Sequence, residues 1–266
     1  MAIFATSLDT STTIVADTFG DIWLVKVNVE VTTTGDAIDG TGSNGSKTFL
    51  IHGHLIAQGD GIDLGDSILN NGGNNRVHIL STGSIYALSN AIESAGGGLN
   101  LTNEGSLFSI DRTIFAEDGD NTITNAGTIT SHNSSGIYAT GGNNTISNGG
   151  DISARWDGIY ASGSGNLIIN SGSVISSITS TFNGAVNIWS LFGESNRLVN
   201  SGELSGQINA VFGGNGNETV VNRGSTGLFN ALYNPPYDRL IEGSRAAFHR
   251  ALAMFPTPFA RAMLRA

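Results

Sequence analysis

Cysteine is absent from this chain of 266 residues, proline is absent from its first 234, and charge is scarce throughout. The missing cysteines exclude disulfide staples, zinc–thiolate sites and thiol nucleophiles. Proline has no N–H to give to a β-ladder, so a long proline-free stretch suits continuous sheet. All four prolines (Pro235, Pro236, Pro256 and Pro258) fall near the C-terminus, which makes Pro235-Pro236 the expected terminator of that sheet. The opening residues, Met1 to Ser7, lack a basic segment followed by a long apolar run, so no Sec-type signal peptide is expected. No apolar run approaches the roughly 18–20 residues that a membrane span needs.

The few charges are unevenly placed. Net charge is −10. Five arginines (Arg239, Arg245, Arg250, Arg261 and Arg265) face only Asp238 and Glu242 after Tyr237, so the tail is about +3 and residues 1–236 about −13. An acidic body repels phosphate backbones, so nucleic acid is not an expected partner.

Glycine (37 residues) and asparagine (27 residues) are abundant, and they keep time. Asn-X-Gly recurs as Asn103-Glu104-Gly105, Asn125-Ala126-Gly127, Asn148-Gly149-Gly150, Asn170-Ser171-Gly172, Asn200-Ser201-Gly202 and Asn222-Arg223-Gly224. The glycine steps are 22, 23, 22, 30 and 22 residues, with Gly83 another 22 earlier. A fixed period of this size means one unit stacked on copies of itself. Aligned on the glycine, each unit carries three apolar positions. They are Ile85, Leu107, Ile129, Ile152, Val174 and Leu204; Ile92, Ile114, Ile137, Ile159 and Val211; and Leu101, Ile123, Ile146, Ile168, Leu198 and Val220. Three short strands per unit cannot pair with one another without tight hairpins. Each pairs instead with its counterpart one coil away.

The predicted fold is therefore all-β: a parallel β-helix, or β-solenoid, of about 22 residues per coil, expected to be right-handed. Residues 35–234 would supply about nine coils and a rod of roughly 40 Å at ~4.8 Å per coil. Residues 1–34 read as an N-terminal cap, with Trp23, Val25, Val27, Val29 and Val31 alternating along one half-buried strand. Residues 235–266 read as a Pro-bounded basic tail with an amphipathic helix over 238–255. The 30-residue step places an insertion within Ser176–Trp189. The asparagines at 103, 125, 148, 170, 200 and 222 are expected to form an amide ladder at a corner, in the left-handed conformation that Asn tolerates. The glycine two residues later is expected to permit the next bend.

Segments such as Gly119-Asp120-Asn121-Thr122-Ile123-Thr124-Asn125 and Gly141-Gly142-Asn143-Asn144-Thr145-Ile146-Ser147-Asn148 resemble β-helical repeats of secreted bacterial adhesins. Similar repeats occur in autotransporter passengers and in the non-calcium portions of RTX-like proteins exported by type I secretion. The resemblance covers about residues 70–230. It implies an extracellular or cell-surface protein. Two family features are missing from this sequence: a C-terminal membrane barrel with a Sec signal, and tandem Gly-Gly-X-Gly-X-Asp nonapeptides. The nearest approach to the latter is Asp60-Gly61-Ile62-Asp63-Leu64-Gly65-Asp66. Export without a Sec signal, through a C-terminal element, fits these departures.

Two constellations could carry chemistry. Asp111, Arg112, His132, Arg155 and Asp157 fall five to seven residues after their coil's glycine, beside Trp156 as a sugar-stacking platform. Such a stripe would suit a glycan-binding face, or the paired carboxylates and basic groups of a polysaccharide lyase or hydrolase. It is equally what a solvated turn would look like. Asp60, Asp63 and Asp66, with Asp118 and Asp120, have the oxygen chemistry and spacing of a structural calcium loop, though Asp-Gly pairs are also ordinary corner residues. No other cofactor is indicated. Thr128 has Ser84, Ser106, Asp151 and Ser173 as equivalents, so there is no regular threonine array of the ice-binding kind. The leading expectation is a non-enzymatic structural or adhesive β-solenoid that presents its Asn, Ser and Thr ladders. Its partners would be copies of itself, in a filament or surface array, and surface glycans. The alternative is a carbohydrate-active enzyme or glycan-binding module.

Overall fold

The computed structural model describes residues 2–4, 8–9, 12–16, 20, 22–41, 46–65, 74–180, 182–191, 194–214, 216–226 and 239–242. These residues form an all-β parallel solenoid of three sheets with 11, 10 and 9 strands, here called A, B and C. Within each sheet every strand pairs in parallel with its counterpart one turn away. Along sheet A, Arg76, Asn100, Thr122, Thr145, Leu167, Arg197 and Thr219 are successive register partners. The turns thus advance by 24, 22, 23, 22, 30 and 22 residues. Among the described residues no helix is long and apolar enough to cross a membrane.

Strand formation follows from period-two patterning. In Thr122–Asn125, Ile123 and Asn125 point inward and the threonines outward. The same pattern in every turn builds three inward columns. Leu101, Ile123, Ile146, Ile168 and Leu198 line sheet A, and Leu107, Ile129, Ile152, Val174 and Leu204 line sheet B. Ile92, Ile114, Ile137, Ile159 and Val186 line sheet C, and all of these are buried. Burying such a side chain contributes ~1.5–3 kcal/mol, and stacking repeats it turn after turn.

The three corners solve different problems. From Glu104 onward the A-to-B corner is two residues long, as in Ala126-Gly127 between Thr122–Asn125 and Thr128–Ser131. Its glycine does not have a positive φ. A Cβ on Gly127 would instead collide with the carbonyl oxygen of Gly105 one turn earlier, and Gly150 stands likewise over Gly127. The Asn-X-Gly glycine is thus required by close backbone approach rather than by a bend. The left-handed residues gather at the C-to-A corner, where Asp118, Gly119 and Asp120 have φ of 59°, 75° and 54°. None of the six ladder asparagines is left-handed. They sit at the inward last position of extended strands.

Both ends depart from the sequence-based expectation. The strand predicted through Trp23–Val31 is two strands, Ile22–Val25 in sheet A and Glu30–Thr33 in sheet B, joined through Asn28 at φ 62°. Trp23, Val25, Val29 and Val31 are buried, but Val27 lies on the turn and is exposed. Residues 2–39 also contribute strands to all three sheets in register with the later turns, so this segment continues the solenoid. At the other end Arg239–Glu242 is a strand of sheet A paired with Thr219–Asn222, so no helix occupies 239–242. Four residues are enough for one more parallel strand, and the open edge of Thr219–Asn222 offers them ladder partners. The rest of the predicted helix lies outside the described residues.

Candidate functional site

The Asn ladder forms, and it is structural. Asn103 Nδ2 donates to Asn125 Oδ1 at 2.7 Å. The bonds 125–148, 148–170, 170–200 and 200–222 follow at 2.8 Å, every Nδ2 pointing to the next turn. A second ladder escaped the sequence reading: Asn121 to Asn144 and Asn144 to Asn166 at 2.9 Å, then Asn166 to Asn196 at 3.0 Å. Each acceptor oxygen in it also takes the backbone N–H of the preceding turn's partner, as Asn144 Oδ1 does from Asn121 N. The signal was present as Asn-X-Ile-X-Asn at 121–125, 144–148 and 166–170, one asparagine at each end of the sheet A strand. Both ladders are buried, so they are not surfaces that the rod presents.

The B-to-C corner divides the predicted stripe. Arg112, Trp156 and Asp157 line a cleft on the sheet C side. His132 and Arg155 line a shallow polar depression on the sheet B side, with Thr130, Ser131, Ser153 and Ser177. Arg155 Nη1 donates to Asn133 Oδ1 at 3.3 Å. Asp111 lines neither; its exposed corner offers its backbone oxygen to Ser109 Oγ and Ser131 Oγ at 2.8 and 2.6 Å. The carboxylates of Asp111 and Asp157 therefore do not form a pair across a groove.

Asp157 is a corner clamp. Its Oδ1 accepts Gly184 N at 2.9 Å and Asn187 Nδ2 at 3.2 Å, and its Oδ2 accepts Asn183 Nδ2 at 2.9 Å. Earlier turns use the same device: Asp36 Oδ1 accepts Asp60 N at 2.7 Å and Asp60 Oδ1 accepts Asn90 N at 2.6 Å. The repeated text Asp36-Ala37-Ile38, Asp60-Gly61-Ile62, Asp157-Gly158-Ile159 carries this clamp. Burial pushes the Asp157 carboxyl up to about 6, against the pull of its three donors. What Asp157 holds is the insertion. Five of the extra residues fall within 177–185, between strands Ser173–Ser176 and Val186–Trp189 of sheet C, and three more fall between Trp189 and Arg197, as the register step grows from 22 to 27 to 30.

The insertion walls the cleft. The outward column of sheet C reads, turn by turn, Asp39, Asp63, Glu93, Phe115, Tyr138, Tyr160, Asn187, Phe212. It changes from acidic to aromatic, and the aromatic run is interrupted at Asn187. Tyr138 and Tyr160 stack at 4.5 Å and 6°, which covers one face of the Tyr160 ring. Past Tyr160 the column steps inward to buried Asn187. Here a cleft of about 320 Å³ opens between Tyr160, Trp156 on the corner, Phe182 on the insertion and Trp189 on the strand. The last three rings are 45, 67 and 44 % exposed. Asn187 Nδ2 is spent on Asp157 and on Phe182 O at 3.0 Å, while its buried Oδ1 has no hydrogen-bond donor. Arg112 completes the wall, its guanidinium carbon 4.7 and 4.6 Å from the centroids of the Phe115 and Tyr138 rings.

The calcium candidates are dispersed. Asp63 Oδ1 accepts Gly65 N at 2.8 Å, Asp60 is the clamp described above, and Asp66 lies outside the described residues. Asp118 and Asp120 belong to the left-handed corner and are exposed. Among the described residues no group of three or more His, Asp or Glu side chains is placed to hold a metal ion. Burial, with Asp60, Asp36 and Asp39 nearby, pushes the Asp63 carboxyl up to about 6. Compared with protein-family models, curated proteins and solved structures, the chain matches none.

Proposed function

We propose that this protein is a non-enzymatic extracellular adhesive β-solenoid, and that it attaches by taking a carbohydrate into the aromatic cleft at the B-to-C corner. The observation that carries this reading is the company kept by three exposed rings. Trp156, Phe182 and Trp189 line the cleft together with Asn187, whose buried amide oxygen lacks a donor. Sugars offer flat C–H faces to aromatic rings and hydroxyl donors to such acceptors, and few other ligands offer both at once. An apolar occupant would leave the Asn187 oxygen unsatisfied, at a cost of about 1–3 kcal/mol. The cleft volume of about 320 Å³ sits at the small end of ligand sites, room for about one or two sugar rings. Asp157 favours adhesion over hydrolysis, because its oxygens are engaged by the insertion and no second carboxylate lines the cleft.

The rod supports this role by rigidity. The site is assembled from four consecutive turns, the last carrying the clamped insertion, so it is held in shape before a ligand arrives. A glycan array probed with the full chain, followed by calorimetry on its best hits, tests the proposal. Binding is expected to fall at least tenfold in Trp156→Ala and Trp189→Ala, with hydrolysis products absent. An array on which the wild-type chain binds no saccharide overturns the reading.

A further inference from the structure

We infer that the carbohydrate taken by this cleft carries a carboxylate, which docks on Arg112. This rests on the glycan-binding reading above and adds the class of sugar. The guanidinium of Arg112 lies against the rings of Phe115 and Tyr138, at 4.7 and 4.6 Å from their centroids. Contact with two ring faces restrains the guanidinium and uses none of its N–H donors, which stay available for hydrogen bonding. Among the described residues no carboxylate pairs with those donors. The one carboxylate in the cleft, Asp157, is turned to Gly184 N, Asn183 Nδ2 and Asn187 Nδ2 instead.

The geometry is that of a held but unanswered cation. An arginine serving only stability would gain from pairing with an acid, and acids outnumber bases in this chain, with 22 Asp and Glu against 12 Lys and Arg. The nearby outward column is acidic at Asp39, Asp63 and Glu93 but aromatic from Phe115 to Tyr160, so the cation stands where the acids stop. A planar guanidinium matches a carboxylate through two parallel hydrogen bonds, which no neutral hydroxyl reproduces. The ligand's ring would lie against Trp156 and Tyr160. Its acid group would face Arg112, and a hydroxyl would supply the donor that Asn187 Oδ1 lacks.

Two sources of this chemistry exist, a terminal sialic acid and a uronic acid within a chain. The test uses 3′-sialyllactose and a hyaluronan tetrasaccharide, each beside its carboxyl methyl ester, with lactose as the neutral control. Calorimetry on the full chain is expected to show one acid binding roughly 10- to 100-fold more tightly than its ester. Which acid wins names the source. Arg112→Gln should erase that preference and Arg112→Lys should retain part of it, with circular dichroism showing both folded. Equal binding of acid and ester by the wild type overturns the inference while leaving the glycan reading standing. Binding to none of the five saccharides, with a blank glycan array, overturns both. Because the ester comparison needs no variant, a misfolded Arg112 substitution does not blur the result.

Discussion

Breaking one rung of the Asn103–Asn222 ladder should cost more than half as much as breaking two adjacent rungs. Asn148 accepts from Asn125 Nδ2 at 2.8 Å and donates to Asn170 Oδ1 at 2.8 Å, so Asn148→Val removes two amide–amide bonds. It leaves the Asn170 oxygen buried without that donor, worth about 1–3 kcal/mol, and takes from Asn125 Nδ2 one of its two acceptors, worth about 1. The expected cost is about 3 kcal/mol. Asn125→Val should cost about the same, since it also sits between two partners. The double variant breaks three amide–amide bonds rather than the four summed over the single variants, and it no longer holds an orphaned amide between the two sites. It should cost about 4 kcal/mol, giving a coupling of about 2 kcal/mol. Valine suits the site sterically, because Val25, Ile51 and Ile79 fill the same column in earlier turns and are buried. Urea unfolding of the four proteins, followed by far-ultraviolet circular dichroism, closes the cycle. Additivity of the two single costs to within about 0.5 kcal/mol would refute the ladder as a coupled hydrogen-bond chain.

Three further outcomes are expected. Gly150→Ala puts a methyl into the Gly127 carbonyl and should destabilise by about 2–3 kcal/mol, whereas Gly149→Ala meets only Ser171 Oγ and Asn125 O at 3.6 and 3.7 Å and should change stability by under about 0.5; equal melting temperatures would contradict the close-approach account. Asp157 and Asp63 are both pushed up to about 6 from the ordinary 3.8, so the folded state binds their protons more tightly than the unfolded chain does. Their contribution to stability is full below about pH 4 and is lost as pH rises through 6; melting should therefore come several degrees higher at pH 5 than at pH 7.5, and Asp157→Asn should flatten part of that slope. Trp156→Ala should lower the melting temperature by less than about 2 °C, since its ring is 45 % exposed, so lost binding in this variant cannot be blamed on unfolding.

The spacing of aliphatic residues made the solenoid legible, because a three-strand coil repeats every inward position at the same interval. The ladder at Asn103 to Asn222 was legible for the same reason, but its conformation was not. A side chain's identity names its hydrogen-bonding capacity, whereas the φ of Asn125 depends on which corner follows it. Asn121, Asn144 and Asn166 were hidden behind the more regular Asn-X-Gly motif, although they repeat at nearly the same interval. The strand expected through Val31 failed at Val27, since period-two alternation continues across a corner without announcing it. Position along the coil put Arg112, Trp156 and Asp157, which line one cleft, in the same stripe as His132 and Arg155, which the corner turns the other way, and Asp111, which lines neither. Phe182, Asn187 and Trp189 could not be placed from sequence because the insertion spoils the count there.

The two-residue corner has a consequence for how such a rod can vary. In each turn from Glu104 on, its glycine lies so close to the turn before that neither a side chain nor an extra residue fits between them. That edge is a keel. The eight residues added between Gly172 and Gly202 emerge at the other two edges, five at the B-to-C corner and three at the C-to-A corner, and the five bring with them the Phe182 wall of the cleft. A rod built this way keeps one seam closed and leaves the other two free to grow loops. Recognition can therefore change at the open seams while the sheets beneath keep their register.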